Sequence, residues 1–236
     1  MKTLLGSCTK HNRANFEKTP TYKSMLYGFL YGKGKGYEFY ESMDLDAVIK
    51  TKNKENIGKH YNKILDMAVS EKYDTVILMH DDVQIDDRGW EDKLQEAFKK
   101  YDVVGLAGAK QVEIKQPALW HLMSKQEDWS GAVAHPASEK QIFMTNFGPT
   151  PARCLLLDGL FLAIKVSSLT PDIRFDENIP AIAHHYDLDF CLTANKHKLK
   201  LTTWPIWAVH RSPGLEERTT EFETSQKYFI DKWAKS

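Results

Sequence analysis

The sequence predicts an α/β fold, with a mostly parallel central sheet flanked by helices. Three observations carry this expectation. Continuous apolar, β-branched runs recur, as in Thr75-Val76-Ile77-Leu78-Met79, and a strand buried on both faces reads in this way. Between such runs lie segments whose apolar residues return at helical spacing. The two kinds alternate through the first half of the chain, and strand–helix–strand order calls for right-handed crossovers and parallel neighbours.

The elements follow in order. Thr3-Leu4-Leu5-Gly6-Ser7-Cys8 reads as a short first strand, and 37–42 as a second after a Gly-rich turn at Gly32-Lys33-Gly34-Lys35-Gly36. That turn has neither the spacing of a phosphate-binding P-loop nor a strand before it. Ile57, Tyr61, Ile64, Leu65, Ala68 and Val69 keep one face of a helix over 57–72. The strand at 75–79 follows, and Trp90, Leu94, Ala97 and Phe98 then repeat the helical spacing. Another buried strand is expected at 103–107.

The second half is less regular. Residues 110–153 hold Trp120, Trp129, Gly131, Pro136, Pro149 and Pro151 with little periodicity. A structureless stretch of this length in a compact domain is functional or disordered, and the tryptophans favour function. Leu155–Lys165 returns to strand-like apolarity, broken at Asp158-Gly159. A helix is expected over 187–196, and a pair of short strands over 201–210, bent at Pro205. Phe222, Phe229 and Trp233 form the stripe of a last helix.

Composition bounds the function. The 236 residues are 42% hydrophobic and 27% charged, which excludes disorder and collagen-like structure. Lys+Arg and Asp+Glu are 32 each, for zero formal charge. A dedicated nucleic-acid binder needs a net basic surface, so nucleic acid is not an expected partner. No apolar run approaches the roughly 18–20 residues of a membrane span, and the first residues lack a secretory core. Cys8, Cys154 and Cys191 are scattered without metal-type spacing and read as thiols. The expectation is one soluble domain over 1–236 in a reducing cytoplasm.

In open parallel sheets, ligands bind beyond the carboxyl ends of the strands. There, after 75–79, stand His80-Asp81-Asp82. Two carboxylates and an imidazole can hold a divalent cation such as Mg²⁺ or Mn²⁺. The same residues also make an ordinary solvated turn in which Asp82 or Asp86 caps the next helix. A second acidic cluster, Asp187 and Asp189, opens the helix at 187–196. It reads as dipole-compensating capping or as a general base. His210 closes the late strand pair, as a structural hydrogen-bonder or as a further ligand. No Gly-x-Ser-x-Gly nucleophile elbow is present, and Cys154 and Cys191 are simplest as core thiols.

The order of these clusters resembles the GT-A-fold glycosyltransferases of family 2, particularly short stand-alone bacterial and viral members. Gly6-Ser7-Cys8-Thr9 with His11-Asn12 is similar to the end of their first strand, and Asn56-Ile57-Gly58-Lys59-His60-Tyr61-Asn62 to their N-x-G-x-x-x-N helix start. His80-Asp81-Asp82 stands in the place of Asp-x-Asp. Leu157-Asp158-Gly159, Phe175-Asp176-Glu177 and Tyr186-Asp187-Leu188-Asp189 resemble later elements in correct order, and His210 falls where a late metal ligand often does. Three departures stand out: His80 replaces the first aspartate, Tyr186 replaces a glutamate before the base, and the first strand lacks the common proline and tyrosine.

What the resemblance implies is inverting transfer of a sugar from a nucleotide-sugar donor, a UDP- or GDP-sugar, to an acceptor hydroxyl on a glycan or glycoconjugate. It implies a Rossmann-like nucleotide-binding half over 1–109 and an acceptor and catalytic half over 110–236. Asp82 and His210, with His80, would hold Mn²⁺ or Mg²⁺, and Asp187 would be the base. Ser7, Thr9, Glu41, Lys59 and Asp81 would line the nucleotide, Lys59 from a helix N-terminus that is itself an anion site. Trp120, Trp129, Asp158 and Gly159 would face the acceptor, although core packing explains the tryptophans equally well. Peripheral contact with a membrane, to meet a lipid-linked acceptor, stays compatible with the sequence. Two alternatives remain at this point: a sugar-nucleotide nucleotidyltransferase, which would normally carry a Gly-rich first loop absent from 7–13, and a non-catalytic glycan-binding module.

Overall fold

A computed structural model describes residues 1–25, 30–34, 37–41, 45–138, 141–212 and 219–234, with 30–34 and 37–41 described as backbone. The first strand is β1 (Thr3–Cys8), followed by two short helices, α1 (Arg13–Phe16) and α2 (Pro20–Ser24). The hairpin β2 (Leu30–Gly34) and β3 (Tyr37–Glu41) leads into β4 (Leu45–Lys50). Gly32 and Gly34 therefore belong to a strand rather than to the expected turn, while 35–36 and 42 lie outside the described residues.

Helix α3 (Ile57–Ser70) has the expected buried stripe of Ile57, Tyr61, Ile64, Leu65 and Ala68. Asn56 caps it, its Oδ1 accepting the Gly58 N–H at 2.7 Å. Strand β5 (Thr75–Met79) matches its expected bounds, and all five residues are fully buried. Full burial of a Val, Ile, Leu or Met side chain is worth about 1.5–3 kcal/mol, so β5 is the axis of the core. The chain continues as β6 (Val83–Ile85) and α4 (Trp90–Ala97).

The run expected as one strand over 103–107 is two, β7 (Val103–Gly105) and β8 (Ala107–Ala109). The chain changes sheets at Leu106. Next come β9 (Trp129–Ser138), β10 (Gln141–Gly148), β11 (Ala152–Cys154), β12 (Leu156–Leu157) and β13 (Phe161–Lys165). The last third contributes α5 (Tyr186–Lys196), β14 (Leu201–Thr203), β15 (Ala208–His210) and α6 (Thr220–Trp233).

These strands form a sheet of order β11-β14-β7-β13-β5-β1-β4-β3-β2 and a second of order β12-β8-β9-β15-β6, with β10 paired to β9. The expected α/β class with helices flanking the sheets holds, and the principal sheet is mixed rather than mostly parallel. β1 runs parallel to β4 and β5, and β14 to β7. β13, however, enters antiparallel between β5 and β7. Asp158-Gly159 is the turn that feeds it there from β12, so the apolar run 155–165 serves both sheets. Residues 110–153 are likewise not a loop: β9 and β10 form a long antiparallel hairpin. Phe222 and Phe229 bury the inner face of α6, as expected, and Trp233 packs at its edge. Among the described residues, no helix is long and apolar enough to cross a membrane.

Candidate active site

The strand register assembles a cluster from distant parts of the chain. β5 ends at Met79, and His80-Asp81-Asp82 turns directly into β6. Thr21 of α2 pins that turn, its Oγ1 lying within hydrogen-bond reach of two carbonyls, His80 O at 2.5 Å and Val83 O at 2.8 Å, for its one proton. β6 pairs antiparallel with β15, His210 opposite Val83, and the Arg211 N–H donates to Asp82 O at 2.9 Å. Two expected ligands, 128 positions apart, are therefore brought face to face. His210 Nε2 lies 3.2 Å from Asp82 Oδ1, and His80 Nδ1 lies 4.0 Å from the same oxygen. One ligand atom from each of His80, Asp82 and His210 falls within 4.8 Å of the others.

The chemistry of this set fits a cation. Asp82 Oδ1 and His210 Nε2 are close but not aligned as a hydrogen bond, and both atoms are buried without a hydrogen-bond partner. The two atoms face each other as an ion pair, and with a ring nitrogen of His80 they converge on one point. Burial favours a neutral Asp82, but the neighbouring His210 and His80 rings outweigh it and hold its carboxyl below the usual range. For His210, burial disfavours the charged ring, but the Asp82 carboxylate reverses that and raises its pKa. Burial lowers the pKa of His80 despite Asp82 beside it.

Asp81 turns the other way. Its Oδ2 accepts a hydrogen bond from Thr9 Oγ1 just beyond β1, and His11 Nε2 is 3.9 Å from the same oxygen. The turn sends the two carboxylates different ways: Asp82 joins the histidines and Asp81 joins the end of β1. Thr9, in turn, accepts the His11 N–H at 3.0 Å. Ser7 is fully buried in β1, its Oγ without a hydrogen-bond partner. Glu41 ends β3, and its side chain lies outside the described residues.

Lys59 is exposed in the first turn of α3. The helix terminus beside it is not open to an anion, in contrast to the expectation. The N–H of Ile57 donates to Ile182 O at 2.8 Å, and that of Gly58 is taken by the Asn56 cap. The N-x-G-x-x-x-N pattern clamps a neighbouring segment instead. Asn56 Nδ2 donates to Ile179 O at 2.7 Å, and Asn62 exchanges hydrogen bonds with the Phe175 backbone at 2.9 and 3.0 Å.

The second half of the site rests on Gly159. Asp187 opens α5, and its Oδ2 accepts the Gly159 N–H at 2.8 Å. A Cβ at position 159 would lie 2.3 Å from Tyr186 Oη and 2.7 Å from Asp187 Cβ. Only glycine lets the turn approach the helix so closely. Burial and then the nearby Asp158 carboxylate push the Asp187 carboxyl up to about 7. Asp158 is itself fixed, accepting the Leu160 N–H at 3.0 Å and the Trp120 Nε1–H at 2.9 Å.

Trp120 is 6% exposed and packs edge-on to Trp129 and Phe147. It is a core residue that orients Asp158, so the core-packing reading describes it, not a flat face open to an acceptor. Trp129 is half-buried, its Nε1–H bound to His121 O at 3.2 Å.

Two residues at the site went unassigned in the sequence. Tyr186 Oη lies 2.7 Å from His80 Nε2 and donates to Gly159 O at 3.0 Å, which links the histidine cluster to the Asp187 turn. The departure from glutamate at 186 was the available signal. His135 of β9 stacks obliquely on His210 at a ring separation of 5.9 Å. No sequence feature marked it, because its position follows from the parallel pairing of β9 with β15, Ala134 opposite Val209.

A family model described as "Glycosyltransferase like family" matches residues 38–233. Among solved structures, the one titled "Crystal Structure of A197 from STIV" is similar at 17% identity and a TM-score of 0.46, over 87% of this chain and 82% of that one. No curated protein matches the chain.

Proposed function

This chain belongs to the glycosyltransferase-like family, and from that premise we propose that it moves a sugar from a nucleoside-diphosphate sugar to an acceptor hydroxyl, with inversion at the anomeric carbon. The observation that carries this reading is Asp187. It is a carboxylate held by the Gly159 N–H at the carboxyl edge of the sheet, with a pKa raised to about 7. Such a value suits a general base working near neutral pH.

In this reading Asp187 accepts the proton of the acceptor hydroxyl as the oxygen attacks the anomeric carbon, on the face opposite the departing diphosphate. Gly159 keeps the carboxylate oriented, so little reorganisation accompanies the proton transfer. Asp158, locked by Trp120, keeps Asp187 basic by its charge. His80, Asp82 and His210 would hold a divalent cation, Mn²⁺ or Mg²⁺. Such an ion supplies positive charge against the leaving diphosphate. Asp81 and Thr9 lie on the β1 side of the turn, the place for the nucleoside, and exposed Lys59 adds positive charge. The acceptor is a glycan or glycoconjugate.

The test is Asp187→Asn with a panel of UDP- and GDP-sugars in the presence of Mn²⁺. Turnover should fall about 10²–10⁴-fold, while the stabilisation of the fold by nucleoside diphosphate persists. Wild-type turnover in that variant would remove Asp187 from the role of base.

A further inference from the structure

We infer that Tyr186 is a positioning residue that sets the tautomer of His80 and so presents His80 Nδ1 to the cation. The inference rests on the reading above that His80, Asp82 and His210 hold a divalent ion.

A phenol hydroxyl has one proton to give and lone pairs to accept with. The carbonyl of Gly159, 3.0 Å from Tyr186 Oη, can only accept, so the tyrosine proton is committed there. His80 Nε2 stands 2.7 Å from the same oxygen. With the phenol proton engaged elsewhere, the contact is satisfied when His80 Nε2–H donates to Oη. A neutral imidazole protonated at Nε2 carries its free lone pair at Nδ1. That is the atom 4.0 Å from Asp82 Oδ1, on the side of the converging ligands.

The phenol is held firmly enough to impose this choice. Tyr186 is buried, packs edge-on to Tyr61 at 5.7 Å, and lies beside Phe175 at 6.1 Å. The Gly159 turn, closed by Asp187, fixes its acceptor. Two of the positions where the sequence departs from the motifs quoted above, 80 and 186, thus form one unit: an imidazole donor and the group that aims it. Partners that orient a ligating histidine in this way typically matter 10–100-fold in metal affinity.

The experiment uses the full chain. Nitrogen-15 imidazole spectra of the metal-free protein report the His80 tautomer directly, and Mn²⁺ titration followed by electron paramagnetic resonance reports affinity. Wild type should show His80 as the Nε2–H tautomer. Tyr186→Phe should mix the tautomers and raise the Mn²⁺ dissociation constant about 10–100-fold. In a His80→Ala background, the same tyrosine change should have no further effect on Mn²⁺ affinity.

A wild-type His80 protonated at Nδ1 overturns the inference, whether or not the phenylalanine variant folds. So does an equal loss of affinity in both backgrounds, since the effect would then bypass His80. Those results leave the cation site itself standing. Failure of the wild type to bind either Mn²⁺ or Mg²⁺ rejects that site and this inference with it.

Discussion

Asp187 and Asp189 stand two residues apart on α5, yet they serve different regions. Asp189 is 1% exposed, at a seam where α6 packs against α5. Its Oδ1 meets Lys232 Nζ at 2.8 Å and the Trp233 Nε1–H at 2.7 Å, and Lys232 also reaches Asp176 at 2.7 Å. Asp187 faces the turn at 158–159 instead, with the Gly159 N–H on its carboxylate and another carboxylate nearby. Burial raises the pKa of both. At the seam, a lysine and an indole work against that rise; at the turn, Asp158 adds to it. At the seam the lysine ties a buried carboxylate into the structure, whereas at the turn the second carboxylate keeps Asp187 basic, which is what the base proposed above needs.

The largest way to break the comparison is at the seam. Lys232→Met leaves Asp189 and Asp176 without their shared cation. Removing one partner of a fully buried pair costs about 3–5 kcal/mol, but Lys232 is 34% exposed and solvent screens it, so urea unfolding should show stability lower by about 2 kcal/mol. A loss below about 1 kcal/mol would mean that the lysine is not what holds the seam.

At the turn, Gly159→Ala forces Tyr186 or Asp187 to move, given the approaches of 2.3 and 2.7 Å. A displaced base costs about 10²-fold in turnover, and steady-state kinetics should show the loss in kcat. Unchanged kcat would show that the close approach of this turn is not needed to hold the base.

The smallest effect sharpens the electrostatic side. With a carboxyl pKa of about 7, the base is mostly protonated at about pH 6 and mostly ionised at about pH 8, so kcat/KM should rise about tenfold across that interval. The stability effect has the opposite sign. A carboxyl whose pKa is raised by folding favours the native state most below its unfolded value, near 3.8. That contribution is lost as pH rises through about 7. Asp187→Asn lacks it, so its melting temperature relative to wild type should climb between about pH 4 and pH 8. A flat difference would show that folding does not perturb Asp187.

Much of the scaffold was legible because burial leaves a plain mark. β5 is apolar at nearly every position and was bounded correctly, and the helix stripes of α3 and α6 follow the same logic. β4 was missed because Asp46 interrupts it and only three of its six residues are buried. The β9–β10 hairpin was missed for a related reason. β10 leaves Ile142, Phe143 and Met144 40–50% exposed, so no alternation records a buried face.

At the site, the residue types and their order were readable, but their meeting was not. Nothing in the spacing of Asp82 and His210 encodes the ladder between β6 and β15. The division between Asp81 and Asp82 was equally hidden, because adjacent carboxylates look alike until the backbone sends them to opposite sides. Lys59 was placed correctly on a helix start, but the capping of that start depends on a segment more than a hundred residues later.

The short ladder joining β6 to β15 also dictates when the proposed cation site can form. Three residues on each strand hold Asp82 and His210 together, across a loop whose closure carries an entropic penalty that grows with length. A growing polypeptide that has produced only the histidine–aspartate corner has nothing opposite it. A cation held as proposed above would therefore be captured only at the end of maturation, and its binding would report that both ends of this loop have reached their places.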